Sequence, residues 1–202
     1  MDRPALNPSF LERALAAPRP GSSDYDLNPD ARPRRAQPLR PASVLVPLVE
    51  RGTSMNVILT RRAARLRHHP GQIAFPGGKQ DAGDASPLAA ALREAHEEIG
   101  LEPGDVTVLG TFDAHETVTH FLISPFVGLV SPAFEPRIDR TEVDETFEVP
   151  LAFLLDPANL QIHRFRRMGH WRHYYAIPYG PHYIWGATAR MLKALGDRVR
   201  SA

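Results

Sequence analysis

Two rhythms of apolar and polar positions run along the chain. "SVLVPLV" (43–49) is a β-branched run without charge, the pattern of a strand buried on both faces, and "MNVILT" (55–60) follows the turn-forming "RGTS". A helical rhythm takes over after residue 86. Leu88, Leu92, Ala95 and Ile99 gather on one arc at about 100° per residue. Ser86 stands as N-cap, Pro87 at the first helical position and Gly100 just past the end. Further strands are predicted at 106–114, 117–130 and around 142–150. "LAFLLD" reads as a short helix, "LQIHRFR" and "HYYAIPY" as a hairpin or pair of strands, and "HYIWGATARMLKAL" as a C-terminal helix ending at Gly196. "RRAARLRHHPGQIAFPGG" (61–78), rich in arginine, proline and glycine, reads as a loop. Strands and helices interleave without a regular βαβ rhythm or an internal repeat, so the expected class is α+β, a mixed sheet covered by helices.

Residues 1–41 read as a proline-rich N-terminal arm, and residues 42–202 as the domain proper. Within the arm, "NPSFLERALAAP" can form a short helix with Asn7 as N-cap and Pro8 at its first position. The polar stretch beyond it reads as an extended arm or a partly disordered linker, with the basic "RPRR" (32–35) as its solvated face. A length of 202 residues suits one domain with a substantial core or two small ones. Usage is ordinary for a globular chain, 43% hydrophobic and 23% charged, and the formal net charge of +1 offers no global attraction for nucleic acid or an anionic membrane. The opening "MDRPALNPSF" has no basic and apolar leader pattern, and no apolar run approaches the roughly 20 residues of a membrane span. A cytoplasmic location is therefore expected.

The absence of cysteine removes disulfides, thiolate nucleophiles and Cys-based metal sites, so any metal chemistry must use oxygen or imidazole. The histidines form no HExxH spacing. Carboxylates are another matter. On the 87–99 helix, Glu94 lies three and four residues before Glu97 and Glu98, so all three share a face roughly 130° from the apolar arc. Such a face is either solvated or built around a cation. Gly77 and Gly78 suit a tight turn with close backbone approach. Arg62 and Arg67 have the guanidinium forks that bind phosphate oxygens in pairs, in a stretch where other arginines face solvent.

These residues carry a resemblance. Gly78, Asp84 and then "REAHEEIGL" (93–101) resemble the signature box of the Nudix hydrolases, with two departures: the loop acid is aspartate, and the spacer to Arg93 is one residue longer than usual. "ILTRRAARLRHHPGQIAFPGG" (58–78) is similar to the segment preceding the box in the coenzyme A pyrophosphatase branch, through Leu59, Thr60, Arg62, Ala63, Arg67, Gly71, Phe75, Pro76, Gly77 and Gly78. "YIWGATARML" (183–192) also looks like that branch. The resemblance implies a Nudix-type α/β/α sandwich around a mixed β-sheet, and a metal-dependent hydrolase of a small nucleotide substrate. It implies Mg²⁺ or Mn²⁺, with Glu97 and Glu98 as principal ligands, Glu94 as ligand or water-activating group and Arg93 orienting a carboxylate. Glu142 or Glu145 would supply an additional acid outside the box. Coenzyme A and its derivatives are the implied substrates, to be cut to 3′,5′-ADP and 4′-phosphopantetheine. ADP-ribose or another nucleoside diphosphate derivative is the alternative, and a non-catalytic nucleotide- or nucleic-acid-binding module a more distant one.

Overall fold

A computed structural model describes residues 6–17, 20–33 and 38–202 of the protein. Asn7 opens α1 (Pro8–Ala16) by accepting the Phe10 N–H at 2.9 Å. The chain then forms β1 (Ser22–Ser23), β2 (Arg40–Arg51), β3 (Ser54–Arg62), β4 (Ile73–Ala74), β5 (Gly77–Lys79) and α2 (Pro87–Ile99). Next come β6 (Val106–Thr111), β7 (His115–Glu116), β8 (Phe121–Val130), β9 (Val143–Pro150) and α3 (Leu151–Leu154). A hairpin of β10 (Gln161–Arg167) and β11 (His170–Tyr179), then β12 (His182–Trp185) and α4 (Ala187–Val199), complete it. Strands β1 to β9 make one sheet, with β8, β2 and β3 at its centre, and β10, β11 and β12 make a second, antiparallel one. β2 runs parallel to β8 and antiparallel to β3, so the main sheet is mixed.

The alternation within β2 explains the three layers. Leu45 and Val49 face α2, where Ala91, Ala95 and Ile99 pack with Ile58 of β3. Val44, Val46 and Leu48 point the other way, into a core shared with Leu11 and Leu15 of α1 and Leu192 and Leu195 of α4. A strand buried on both faces needs apolar side chains at odd and even positions alike, which is why 43–49 shows no alternation. The architecture is an α+β, α/β/α sandwich. No helix among the described residues is long and apolar enough to cross a membrane.

Four expectations change in detail, and in the first the stretch 61–78, read as a loop, contributes β4, paired with β3, and the start of β5, paired with β2. The polar stretch after α1, read as an extended arm, is docked wherever it is described: β1 pairs in parallel with β7, Tyr25 is buried, and Ser22 Oγ sits 2.9 Å from Nδ1 of the fully buried His115. The His115 Nε2 faces Asp24 Oδ1 at 3.1 Å, so one imidazole ties both ends of that segment to β7. Arg34 and Arg35 of the basic run lie outside the described residues. The 117–130 run opens with a turn in which His120 adopts φ 63°, so its strand, β8, starts only at Phe121, and the short β7 lies before the turn. The C-terminal helix starts only at Ala187, because His182–Trp185 pairs with β11 as β12, and it continues through Gly196. Gly196 does not end the helix. A Cβ there would stand 3.4 Å from the Leu155 carbonyl oxygen, an ordinary contact, and the helix runs on to Val199 with Arg198 buried against Leu15 of α1.

Candidate active site

Helix α2 is held at both ends by the contacts its sequence foreshadows: Ser86 Oγ accepts the Ala89 N–H at 3.1 Å, and Gly100 turns left-handed at φ 69°. Between them its alanines let the helix sit close on β2, and this proximity carries the carboxylate face down toward β5. Glu98 is consequently buried, 2% exposed, with Oε2 accepting the Gly77 N–H at 3.2 Å and Oε1 3.5 Å from Arg62 Nη1. Burial pushes its carboxyl up to about 8, against the opposing pull of Arg62 and the Gly77 N–H. Glu94, one turn earlier, is half-buried, and desolvation raises it too, while Arg93 pulls it back.

The two glycines make this approach possible. A Cβ on Gly78 would lie 2.5 Å from the Glu94 carboxylate, and one on Gly77, where φ is 153°, would lie 2.4 Å from the Ser43 carbonyl oxygen. Neither position has room for a side chain.

Glu142 arrives from the far side of α2. The loop after β8 caps the helix C-terminus: the Arg137 and Asp139 N–H groups donate to the Ile99 and Glu98 carbonyls at 2.9 and 3.0 Å. The Glu142 N–H then donates to Asp139 O at 3.0 Å, and the Ala63 N–H donates to Glu142 O at 2.8 Å. This chain of main-chain bonds delivers its carboxylate to the helix. One oxygen from each of Glu94, Glu98 and Glu142 can be chosen so that all lie within 4.8 Å of one another. Three close carboxylates repel one another when ionised, and either a proton, favoured by the burial of Glu98 and Glu94, or a cation between them relieves the repulsion. Their all-oxygen donor set fits a hard divalent ion.

Arg93 organises the neighbouring acids. Its Nε and Nη2 grip Asp84 in a bidentate pair at 2.9 and 3.0 Å, and its Nη1 reaches Glu94 at 3.2 Å and Glu97 at 2.8 Å. Hydrogen bonds from Arg93 hold the Asp84 carboxyl below its usual range, and Asp84 in turn raises Arg93 further. Glu97 is thus turned to Arg93 and half exposed, outside the close trio. Glu145 is also elsewhere, paired with Arg61 at 3.1 Å and 3.8 Å from His182 Nε2. Arg62 lies in the site through Glu98. Arg67 is exposed on the loop between β3 and β4, and none of the ion pairs among the described residues joins it to the glutamates. Sequence reasoning did not see the part played by Asp84, the position where the box departs from its usual pattern. An acid in the loop just before an arginine-bearing helix is the signal that was there to read.

An α/β/α sandwich in which a helix and the loop before β9 bring three carboxylates together beside a glycine pair fits the class of proteins that handle phosphate-bearing ligands through a divalent ion. Comparison with known proteins makes the assignment specific. The NUDIX domain model matches residues 39–168. The uncharacterized Nudix hydrolase NudL of Enterobacter sp. (strain 638) is 38% identical over 186 residues, covering 87% of this chain and 96% of the relative. NudL of Salmonella paratyphi B is 40% identical over 160 residues, covering 79% and 83%. Among solved structures, the NUDIX domain of Shewanella oneidensis NrtR, crystallised with ADP ribose, superposes with a TM-score of 0.51 at 16% identity over 89% of this chain and 97% of that one, a likeness of fold. The chain belongs to the Nudix family and is a Nudix hydrolase.

Proposed function

We propose that this hydrolase is a coenzyme A pyrophosphatase, cutting coenzyme A and its acyl or oxidised derivatives to 3′,5′-ADP and 4′-phosphopantetheine or its derivative. The observation that carries the reading is the segment 58–78, whose resemblance to that branch spans Leu59 to Gly78 and whose Arg62 faces Glu98 at 3.5 Å. In this reading residues 42–202 form the catalytic domain, the protein acts in the cytoplasm, and its partner is a small nucleotide, not nucleic acid or a membrane. Glu94, Glu98 and Glu142 hold Mg²⁺ or Mn²⁺, with Glu97 available beside them. Such a cation neutralises phosphoryl oxygens so that water can approach an anionic diphosphate.

The chain's own residues do the rest. Arg93, anchored by Asp84, fixes the orientation of Glu94 and Glu97. Gly77 and Gly78 leave the backbone open to the diphosphate, while Arg62 and the exposed Arg67 offer guanidinium forks to its oxygens. Glu142 takes the water-activating role better than Glu145, which is occupied by Arg61. The test is incubation with coenzyme A and Mg²⁺, with a chelated control, and identification of products by mass spectrometry. Metal-dependent formation of 3′,5′-ADP and 4′-phosphopantetheine is expected. Intact coenzyme A together with rapid cleavage of ADP-ribose would overturn the substrate assignment.

A further inference from the structure

A cavity of about 140 Å³, lined by none of the carboxylate trio, lies between the β1 segment, the β10–β11 hairpin and the start of α4. One wall is aromatic. Tyr174 meets Trp185 and Phe165 edge to face at centroid distances of 5.4 and 5.7 Å. Arg167 and Arg172 also line it. The opposite wall belongs to the N-terminal segment, fastened by Asn28, whose amide donates to His173 O and accepts from the His173 N–H, both at 2.8 Å. That clamp holds the cavity's two sides in register.

Size, shape and charge converge on one ligand chemistry. A cavity near 150 Å³ has room for one aromatic ring, so a nucleotide could insert only its base and would keep ribose and phosphate outside, and aromatic walls favour a flat π-face. Residues 157–196 contain no aspartate or glutamate, so the hairpin side is cationic throughout in a chain of net charge +1. The one acid in the lining, Asp24, is already engaged by His115 and the Val118 N–H at 3.0 Å. Gly186, the N-cap of the 13-residue α4, lines the cavity without any side-chain cap, adding the positive end of a helix dipole. Arg190, one turn into that helix, is paired with Asp26 at 2.6 Å, so the positive charge the lining offers a ligand is chiefly that of Arg167 and Arg172.

We propose that this cavity is a binding site for an aromatic ring carrying phosphate, a nucleoside monophosphate moiety, and that the N-terminal segment exists in part to close it. The site goes beyond the hydrolytic reading and does not depend on it. Its ligand has two sources: the nucleoside end of the enzyme's own substrate, or a free nucleotide. The first is sterically open. A Cβ on Gly186 would lie 3.6 Å from Gln72 Nε2, and the chain from Gln72 to Gly77 spans at most ~18 Å, within the length of an extended dinucleotide-like molecule.

Trp185 is the reporter, since Trp171→Phe leaves it the only tryptophan. In that background, with metal chelated, AMP should quench its fluorescence saturably, and adenosine or inorganic phosphate should bind roughly tenfold or more weakly. Arg167→Gln with Arg172→Gln should weaken AMP binding roughly tenfold at an unchanged thermal midpoint, because both side chains lie at the surface. Phe165→Ser should weaken it as well. No saturable quenching by AMP, or quenching indifferent to the double variant, overturns the proposal. The kinetic arm then assigns the source. If the substrate's own nucleoside end occupies the cavity, the double variant raises KM while kcat holds, and AMP competes. If a free nucleotide does, the variant matches the parent until AMP is added. The titration needs no turnover, so failure of the coenzyme A reading leaves it standing.

Discussion

Replacing Glu98 with glutamine tests the electrostatic argument where it is sharpest. The buried carboxyl titrates near 8 instead of 4.5. A carboxyl raised on folding binds its proton more tightly in the folded state, so its contribution is present below 4.5 and is lost as pH rises through 8. At 1.36 kcal/mol per pH unit that loss approaches roughly 5 kcal/mol, a large share of a typical domain's stability. Glutamine has the shape of the neutral acid and can still accept the Gly77 N–H, but it never ionises. Urea unfolding in chelator at pH 5 and pH 9 should therefore show the two proteins within about 1 kcal/mol at pH 5, and the wild type several kcal/mol the weaker at pH 9 relative to the variant. Histidines and the distant carboxyls titrate in both proteins and cancel in the difference, whereas Glu94 and Glu142, which face Glu98, respond to its charge and form part of the measured effect. Adding Mg²⁺ at pH 9 should restore the wild type and leave Glu98→Gln unmoved, with hydrolysis abolished in the variant. Parallel stability curves from pH 5 to 9 would refute the claim that Glu98 is buried as an uncompensated acid.

Other positions give separate readings. Asp84→Asn removes the carboxylate that anchors Arg93 and should lower kcat/KM by roughly tenfold to a hundredfold with the melting temperature nearly unchanged, as for other residues that orient metal ligands; wild-type kinetics would demote Asp84 to a loop acid. Gly78→Ala forces a methyl to within 2.5 Å of the Glu94 carboxylate and should cost on the order of a hundredfold in rate, measured by steady-state hydrolysis. An active alanine variant would mean the glycine pair only makes a turn. The buried Arg198 donates to the Leu15 and Ala17 carbonyls of α1 and pairs with Asp113 at 2.6 Å, so Arg198→Met should destabilise by about 3–5 kcal/mol in urea by leaving Asp113 unpaired. Unchanged stability would mean that α1 is docked by its apolar face alone.

Much of the candidate site was legible because it is local. Glu94, Glu97 and Glu98 share a helix face through the 3.6-residue period, and the adjacent Gly77 and Gly78 advertise a backbone demand, met in β5 against β2. What local pattern could not rank was which carboxylates converge. Glu97 and Glu98 are neighbours, yet Glu98 turns under the helix against Gly77, whereas Glu97 turns out to Arg93. Glu142 and Glu145 are equally plausible on spacing. Only the cap on α2, running from Glu98 O through Asp139 to Glu142, sends one inward, while the pairing of β9 with β3 sets the other beside Arg61.

By itself, then, the amino-acid sequence determined the elements whose signals lie within a turn or a strand: the α2 caps, the doubly buried β2, the acidic helix face and the Nudix signature. The tertiary structure alone decided the rest. It converted the polar segment after α1 into a docked strand and clamp, since Ser22 and Asp24 meet His115 of β7 and Asn28 meets His173 of β11, about ninety to a hundred and fifty residues away. It carried α4 through Gly196 because Leu192 and Leu195 pack into the core before it and Arg198 is buried against Leu15 and Asp113 after it, contacts no local propensity contains. It also made Glu98 a weak acid, because desolvation depends on everything packed around a group and not on its neighbours in the chain.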